Sequence, residues 1–282
     1  MTNILLVDGN NLLHRSFHGI QGLQTSYGKP TNATYGIVNT VLNWFENLRP
    51  EYVFVAFDTK AVNFRKEKYD FYKNGRKPAP EELKCQFDDA KKVLKGLGFY
   101  VIEKDGFEGD DLIGTLANYS KTIDDSHTYI LSGDRDLLQL VDSHTTMLKI
   151  GPKETITVTY ESFSESYGFS PKEYIDAKAI MGDSSDNIPG VYGIGEKGAY
   201  KLISEYHTLD NIYENIESLK GKTKERLLEH KEMAYTSKWL ATIVTDIDLG
   251  LNFSECQYIG YSDNVIDLLK ELELSSIISK IQ

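Results

Sequence analysis

Nine carboxylates fall in five short clusters between residues 8 and 186, and together they suggest what chemistry this chain could do. They are Asp8 in LLVDGNN, Asp58 in VFVAFDTK, Glu108, Asp110 and Asp111 in FEGDD, Asp134 and Asp136 in LSGDRD, and Asp183 and Asp186 in MGDSSDN. Three clusters directly follow apolar runs that read as buried strands. In an open α/β sheet that is the carboxyl edge, where ligands bind. Acids gathered there repel one another and lose solvation unless something positive sits between them. Hard divalent cations with oxygen ligands, Mg²⁺ or Mn²⁺, meet that need. The pattern predicts a metal-dependent reaction on an anionic substrate.

Taken singly, each acid has a plainer use. Asp8 and Asp58 end apolar strands, where aspartate often caps a helix or turn. Glu108, Asp110 and Asp111 open a helix, whose positive end favours acids; Glu108 and Asp111, three apart, share a face. Asp134 and Asp136, two apart, could both reach one ion or two neighbouring ions. Capping preferences do not by themselves put acids at several strand ends and a helix start together.

The elements that must position these groups read as alternating strands and helices. Strands are expected at 4–8, 52–58, 100–103, 128–132 and 146–150, with 155–160 a candidate antiparallel edge. Helices are expected at 33–48, 81–97 and 109–120. Such alternation gives a mainly parallel sheet with helices on both faces. After about residue 165 the pattern turns helical, near 171–181, 197–206 and 223–241, with Pro171 at a helix start.

The chain has 282 residues and the apolar and charged fractions of an ordinary soluble protein. No segment has the eighteen or more apolar residues of a membrane span. The N-terminus enters a strand without a signal-peptide pattern. Cys85 and Cys256 form no disulfide framework, so a cytoplasmic location is expected. The sequons at Asn32 and Asn118 are read as chance. A net charge of −11 argues against nucleic acid only until its distribution is considered. Residues 60–77 carry seven Lys or Arg against Glu67 and Asp70, a local charge of +5. There Tyr69, Phe71 and Tyr72 alternate with Arg65, Lys68, Lys73 and Arg76. That mix suits phosphates and unpaired bases, though it also describes a solvated amphipathic helix. Arg15, shortly after Asp8, could reach a phosphate near the metals.

Competing motifs fare worse. Gly193–Gly198 matches GxGxxG but does not follow a first strand or lead to a strand ending in an acid. Asp134-Arg135-Asp136 lacks the hydroxyl partner of an aspartyl-nucleophile phosphatase. There is no zinc-like histidine spacing and no phosphate-loop motif. GVYGIGEKGAYKLI reads instead as a tight hairpin feeding a helix. Gly195 would allow close backbone approach, and amides at the helix start would grip phosphate regardless of base sequence, though a lone run of this kind also makes a plain helix–helix turn.

With these motifs the chain resembles the 5′-to-3′ exonuclease and flap endonuclease family, above all the N-terminal nuclease of bacterial DNA polymerase I. The matching stretches are LLVDGNNLLHRSFH, FDTKAVNFRKEKYDFYKNGRKPAP, FEGDDLIGTLA, LSGDRDLLQLV and KAIMGDSSDNIPGVYGIGEKGAYKLI, in family order. Every expected acid position is present; Gly109 stands where alanine is common. The resemblance implies a PIN-like α/β nuclease domain over 1–165 with a helical arch or clamp at about 60–95. It implies a mainly helical domain over 166–282 with a helix–three-turn–helix DNA-binding element at about 183–206. It also implies two Mg²⁺ ions, replaceable by Mn²⁺, with Asp8, Asp58, Glu108, Asp110 and Asp134 around one and Asp136, Asp183 and Asp186 around the other. Asp111 would lie near either. Lys73, Arg76 and Arg15 would act on the phosphate, Arg65, Tyr72, Gly193, Gly195 and Lys197 on DNA. A K⁺ ion would rest on backbone carbonyls of Val191 and Ile194.

The expected substrate is DNA with 5′ flaps, overhangs or nicks, including RNA-primed ends, cleaved by a monomer free of the membrane. Ending at Gln282, the chain reads as a free-standing bacterial or phage enzyme. A junction-binding protein without cleavage and a ribonuclease on a related sheet are the alternatives. The acid set argues against the first, the long basic segment and the hairpin against the second.

Overall fold

A computed structural model describes residues 1–282. Its centre is a six-stranded sheet of β1 (Thr2–Asp8), β2 (Tyr52–Ala56), β3 (Tyr100–Ile102), β4 (Ser126–Ser132), β5 (Thr145–Ile150) and β6 (Thr155–Val158), in the order β3-β2-β1-β4-β5-β6. All neighbours are parallel except β6, which runs antiparallel to β5 at the edge. The chain steps from β1 outward through β2 to β3, then returns to β4 on the other side of β1. The β1–β4 boundary is therefore the switch point where open α/β sheets leave a crevice.

Strand alternation divides the core. Ile4 and Leu6 of β1 face one apolar layer, Leu5 and Val7 the other. The second layer is closed by α1 (Gly9–Gly19), α2 (Asn32–Leu48) and α4 (Glu81–Gly96), and by the chain's last helices, α12 (Val265–Glu271) and α13 (Ser275–Ile281). The first is closed by α5 (Gly109–Ser120) and by α6 (Tyr160–Tyr167), α7 (Tyr174–Met181), α8 (Glu196–Tyr206), α9 (Leu209–Glu214), α10 (Gly221–Glu229) and α11 (Lys231–Ala241). Phe163, Ala177 and Ile203 share that layer with Ile4 and Leu6, so apolar packing runs unbroken across residue 165. No helix is long and apolar enough to cross a membrane.

Two expectations change in detail. The single helix expected over 223–241 breaks at His230 into α10 and α11. The span 60–95, expected as an arch or clamp, consists of two physically different halves. Its second half is α4, whose Leu83, Ala90, Val93 and Leu94 are fully buried against the sheet side. Its first half is the short α3 (Phe64–Lys68) and a chain of turns lying against the acids.

Candidate active site

The acids reach one edge because the strands end there. Asp8 terminates β1 and caps α1, accepting from Asn11 N at 2.9 Å and from Ser132 Oγ at 2.7 Å. Ser132 Oγ also accepts from Asp134 N at 2.9 Å, and Asp134 accepts from Asp136 N at 2.9 Å. Asp58, just beyond β2, accepts from Asn10 Nδ2 at 2.8 Å and Gly109 N at 2.7 Å, tying it to the start of α5. Asn11 Oδ1 accepts from Gly133 N at 2.9 Å. Asn10, Asn11 and Ser132 thus fasten three strand ends and a helix start together. None of the three was a sequence candidate; for Asn10 and Asn11 the available signal was a pair of amide side chains two and three residues after an acid at a strand end.

The charge balance is uneven across the edge. Burial, reinforced by Asp134 and Asp58 and opposed by the Asn11 and Ser132 bonds, pushes the Asp8 carboxyl up to about 7. Asp110 lies well above the ordinary carboxylate value because burial is compounded by Asp134 and Asp8, and no hydrogen bond offsets it. Burial also raises Asp58. Ionisation of Asp8 and Asp110 is therefore disfavoured in the chain alone, and no cationic side chain forms an ion pair with Asp8, Asp110 or Asp134.

The other corner is filled. Lys178 on α7, buried to 2% exposure, pairs with Asp136 and, at 2.6 Å, with Asp183. Burial raises Asp136 to about 6 against the pull of Lys178. Asp183, despite burial, is held at about 2 by Lys178 and by two bonds from Ser185. Lys178 was not among the sequence candidates; it stands five residues before Asp183 and belongs to no motif. Asp183 and Asp186 ride on a turn closed by Asp183 N to Ile188 O at 2.8 Å and Ile188 N to Asp183 O at 2.7 Å. At its neck Gly182 (φ +69°) and Gly190 (φ +65°) meet back to back; a Cβ on Gly190 would lie 2.4 Å from Gly182 N.

The basic segment supplies the remaining partners. Arg65, expected to meet DNA, is 3% exposed, and all five guanidinium donors are used. It binds both oxygens of Asp111 at 2.7 Å, Glu108 at 3.0 Å, and the carbonyls of Leu240 (3.0 Å) and Thr242 (2.6 Å). The same contacts change the reading of Asp111. It is fully buried, and its oxygens also accept from Glu108 N and Val244 N, leaving no open side for a metal. Tyr72, also expected on DNA, is 3% exposed and donates to Glu108 at 2.9 Å. Lys73 pairs with Glu108 and Arg76 with Asp186. Tyr72 and Lys73 thus link Glu108 to Asp186. Arg15 is exposed, donates to Gly151 O, and lines a cleft with Asn11, His14 and Gly133 beside the acids.

In the hairpin, Gly193 and Lys197 are exposed, and a Cβ on Gly195 would meet nothing within 4 Å, so the outer side is open to a partner. Val191 and Ile194 are buried, and Val191 O accepts from Ile194 N at 3.0 Å. Arg226 Nη1 donates to Gly193 O at 2.6 Å from α10.

Comparison with known proteins agrees with this fold. Residues 3–168 match the model of the 5′-3′ exonuclease N-terminal resolvase-like domain, and residues 169–264 that of the 5′-3′ exonuclease C-terminal SAM fold. The chain belongs to the 5′-3′ exonuclease family. Among this family's members, DNA polymerase I of Caldicellulosiruptor bescii is 40% identical over 99% of the chain, and that of Bacillus subtilis 37% over 99%. The chain spans about a third of the length of these relatives, 33% and 32%. The fold matches T5 5′-exonuclease with bound zinc (TM-score 0.69, 24% identity, 99% of this chain and 100% of that one). It also matches flap endonuclease-1 of Methanococcus jannaschii (TM-score 0.56, 18% identity, 100% and 94%).

The donor set fits divalent metal: it is all carboxylate oxygen, and at Asp8, Asp110 and Asp134 it lacks a counter-charge. No three of these acids close on a common point as they stand.

Proposed function

We propose that this exonuclease-family chain hydrolyses phosphodiester bonds at single-strand/double-strand DNA junctions, with two divalent ions, as a 5′ exonuclease and flap endonuclease. The observation that carries the reading is the corner of Asp8, Asp110 and Asp134 at the switch point, where three acids stand without an ion-pair partner at the same edge as Lys73 and Arg76. Asp8, Asp110 and Asp134, with Asp58 behind them, would hold one Mg²⁺; Asp136, Asp183, Asp186 and Glu108 would serve the second. When bound, such ions activate water and stabilise the leaving oxygen. Asn10, Asn11 and Ser132 keep the carboxylates aimed. Lys73 and Arg76 offset charge developing on the phosphate, and Arg15 steers the 5′ strand along its cleft. Gly193, Gly195 and Lys197 grip the duplex backbone, with K⁺ at the Val191 and Ile194 carbonyls. Arg65 and Tyr72 act from inside by holding the basic segment against Glu108. The substrates that suit this layout are 5′ flaps, overhangs and nicks, including RNA-primed ends, as in replication and repair, handled by a cytoplasmic monomer.

The test is cleavage of a labelled 5′-flap duplex with Mg²⁺, mapped to the nucleotide. Release of the flap in one piece at the junction supports the reading. Mononucleotides alone restrict it to end-directed cleavage, and a metal-dependent band shift without product overturns it.

A further inference from the structure

The basic segment closes on the acids, and the manner of its docking assigns Lys73 and Arg76 a role before any substrate arrives. Its backbone is anchored: Lys73 N donates to Asp186 O at 2.8 Å and Asn187 Nδ2 to Phe71 O at 2.8 Å. Tyr72 is buried beside Ile188 and Leu240. From this fixed base two cationic side chains reach the carboxylates. Lys73 Nζ pairs with Glu108 and lies 3.6 Å from Asp186 Oδ2; Arg76 pairs with the other oxygen of Asp186 and donates to Ser185 O at 3.3 Å. Neither side chain is sealed in, being 22% and 50% exposed, so each can leave without unfolding the segment. By contrast Arg65, from the same segment, is enclosed with every donor bound.

Glu108 and Asp186 therefore already have partners in the metal-free chain. A divalent ion taking these oxygens meets two positive charges within a few ångströms and must move them. We propose that Lys73 and Arg76 are resident counter-ions of Glu108 and Asp186, displaced by the second divalent ion and thereby released toward the incoming phosphate. The inference rests on the metal-dependent reading above and deepens it. Because the same two cations serve either carboxylate or phosphate, metal and substrate favour each other's binding, and the coupling is reciprocal. An ion held weakly by the free protein would be held more firmly once DNA has taken the two side chains.

The experiment is a calorimetric titration of Mn²⁺ into the full chain without DNA, for wild type, Lys73→Met, Arg76→Ala and, as a charge control, Lys77→Ala. Lys77 is exposed and carries the same charge without touching an acid. Removing a resident cation should tighten the weaker ion by about tenfold, and the control should change it by no more than about twofold. Unchanged or weaker affinity in both variants, or a gain equalled by Lys77→Ala, overturns the proposal. If Lys73→Met does not fold, Arg76→Ala decides, since its side chain is half exposed. A wild-type chain that binds no Mn²⁺ overturns the metal reading itself, and this inference with it. Acetylation of Lys73, followed by mass spectrometry, gives a second readout: it should accelerate when Mn²⁺ is added, and an unchanged or slower rate counts against displacement.

Discussion

Replacing Asp8 by asparagine should make the metal-free protein more resistant to unfolding as pH rises. The native carboxyl, buried and facing Asp134 and Asp58, is pushed from 3.8 to about 7. A carboxyl whose folded value lies above its unfolded one keeps a proton that the unfolded chain releases. Stability is therefore lost as pH climbs from about 4 to about 7. A shift of that size corresponds to about 4 kcal/mol in full, of which about 2–3 kcal/mol falls between pH 5 and pH 8. Asparagine keeps the shape and cannot ionise. Whatever it loses in the bonds from Ser132 and Asn11 is the same at both pH values, so the difference between variant and wild type reports the Asp8 charge together with its repulsion of Asp110. Urea unfolding in EDTA, followed by circular dichroism at pH 5 and pH 8, should show the gap widening by about 2–3 kcal/mol in favour of the variant. Mg²⁺ at pH 8 should then restore stability to wild type more than to the variant. Parallel pH dependence in the two proteins would refute the claim that Asp8 carries uncompensated buried charge.

Three further outcomes follow from the same geometry. Arg65→Met leaves Asp111 buried and unpaired, and should cost about 3–5 kcal/mol in chemical denaturation; a loss below about 1 kcal/mol would mean the pair is not sealed as described. Gly109→Ala, at the first position of α5, should stabilise by no more than about 0.5 kcal/mol, the interior helix-propensity gain being about 0.5–1 kcal/mol. The added Cβ would sit 3.4 Å from Asp58 Oδ1, an ordinary contact, and a lowered melting temperature would show that this space is not free. Asp134→Asn and Asp183→Asn should each lower flap cleavage by at least about a hundredfold while DNA binding persists; near-normal turnover by both would sink the metal assignment.

The sequence by itself determined the architecture and the membership of the acidic edge. Strand periodicity and length are local properties, and an acid at the end of an apolar strand must emerge at the sheet's carboxyl edge whatever surrounds it. That is why Asp8, Asp58 and Asp134 were legible, as was the antiparallel edge strand at 155–158. Exposure and pairing were not, because they depend on groups far apart in the chain. Arg65 and Tyr72 sit in a basic, aromatic stretch that reads as a nucleic-acid surface. Yet Leu240 and Thr242, some 175 residues away, supply carbonyls that draw Arg65 inside. Asp111 looks like one more acid of a cluster until the fold sets Arg65 and Val244 against it. Lys178 shows no motif, and becomes part of the site only because α7 delivers it between Asp136 and Asp183. Local pattern decides which groups arrive at the edge; only tertiary packing decides which of them keep their charge free for a ligand, because Coulomb partners and desolvation are properties of the assembled surroundings.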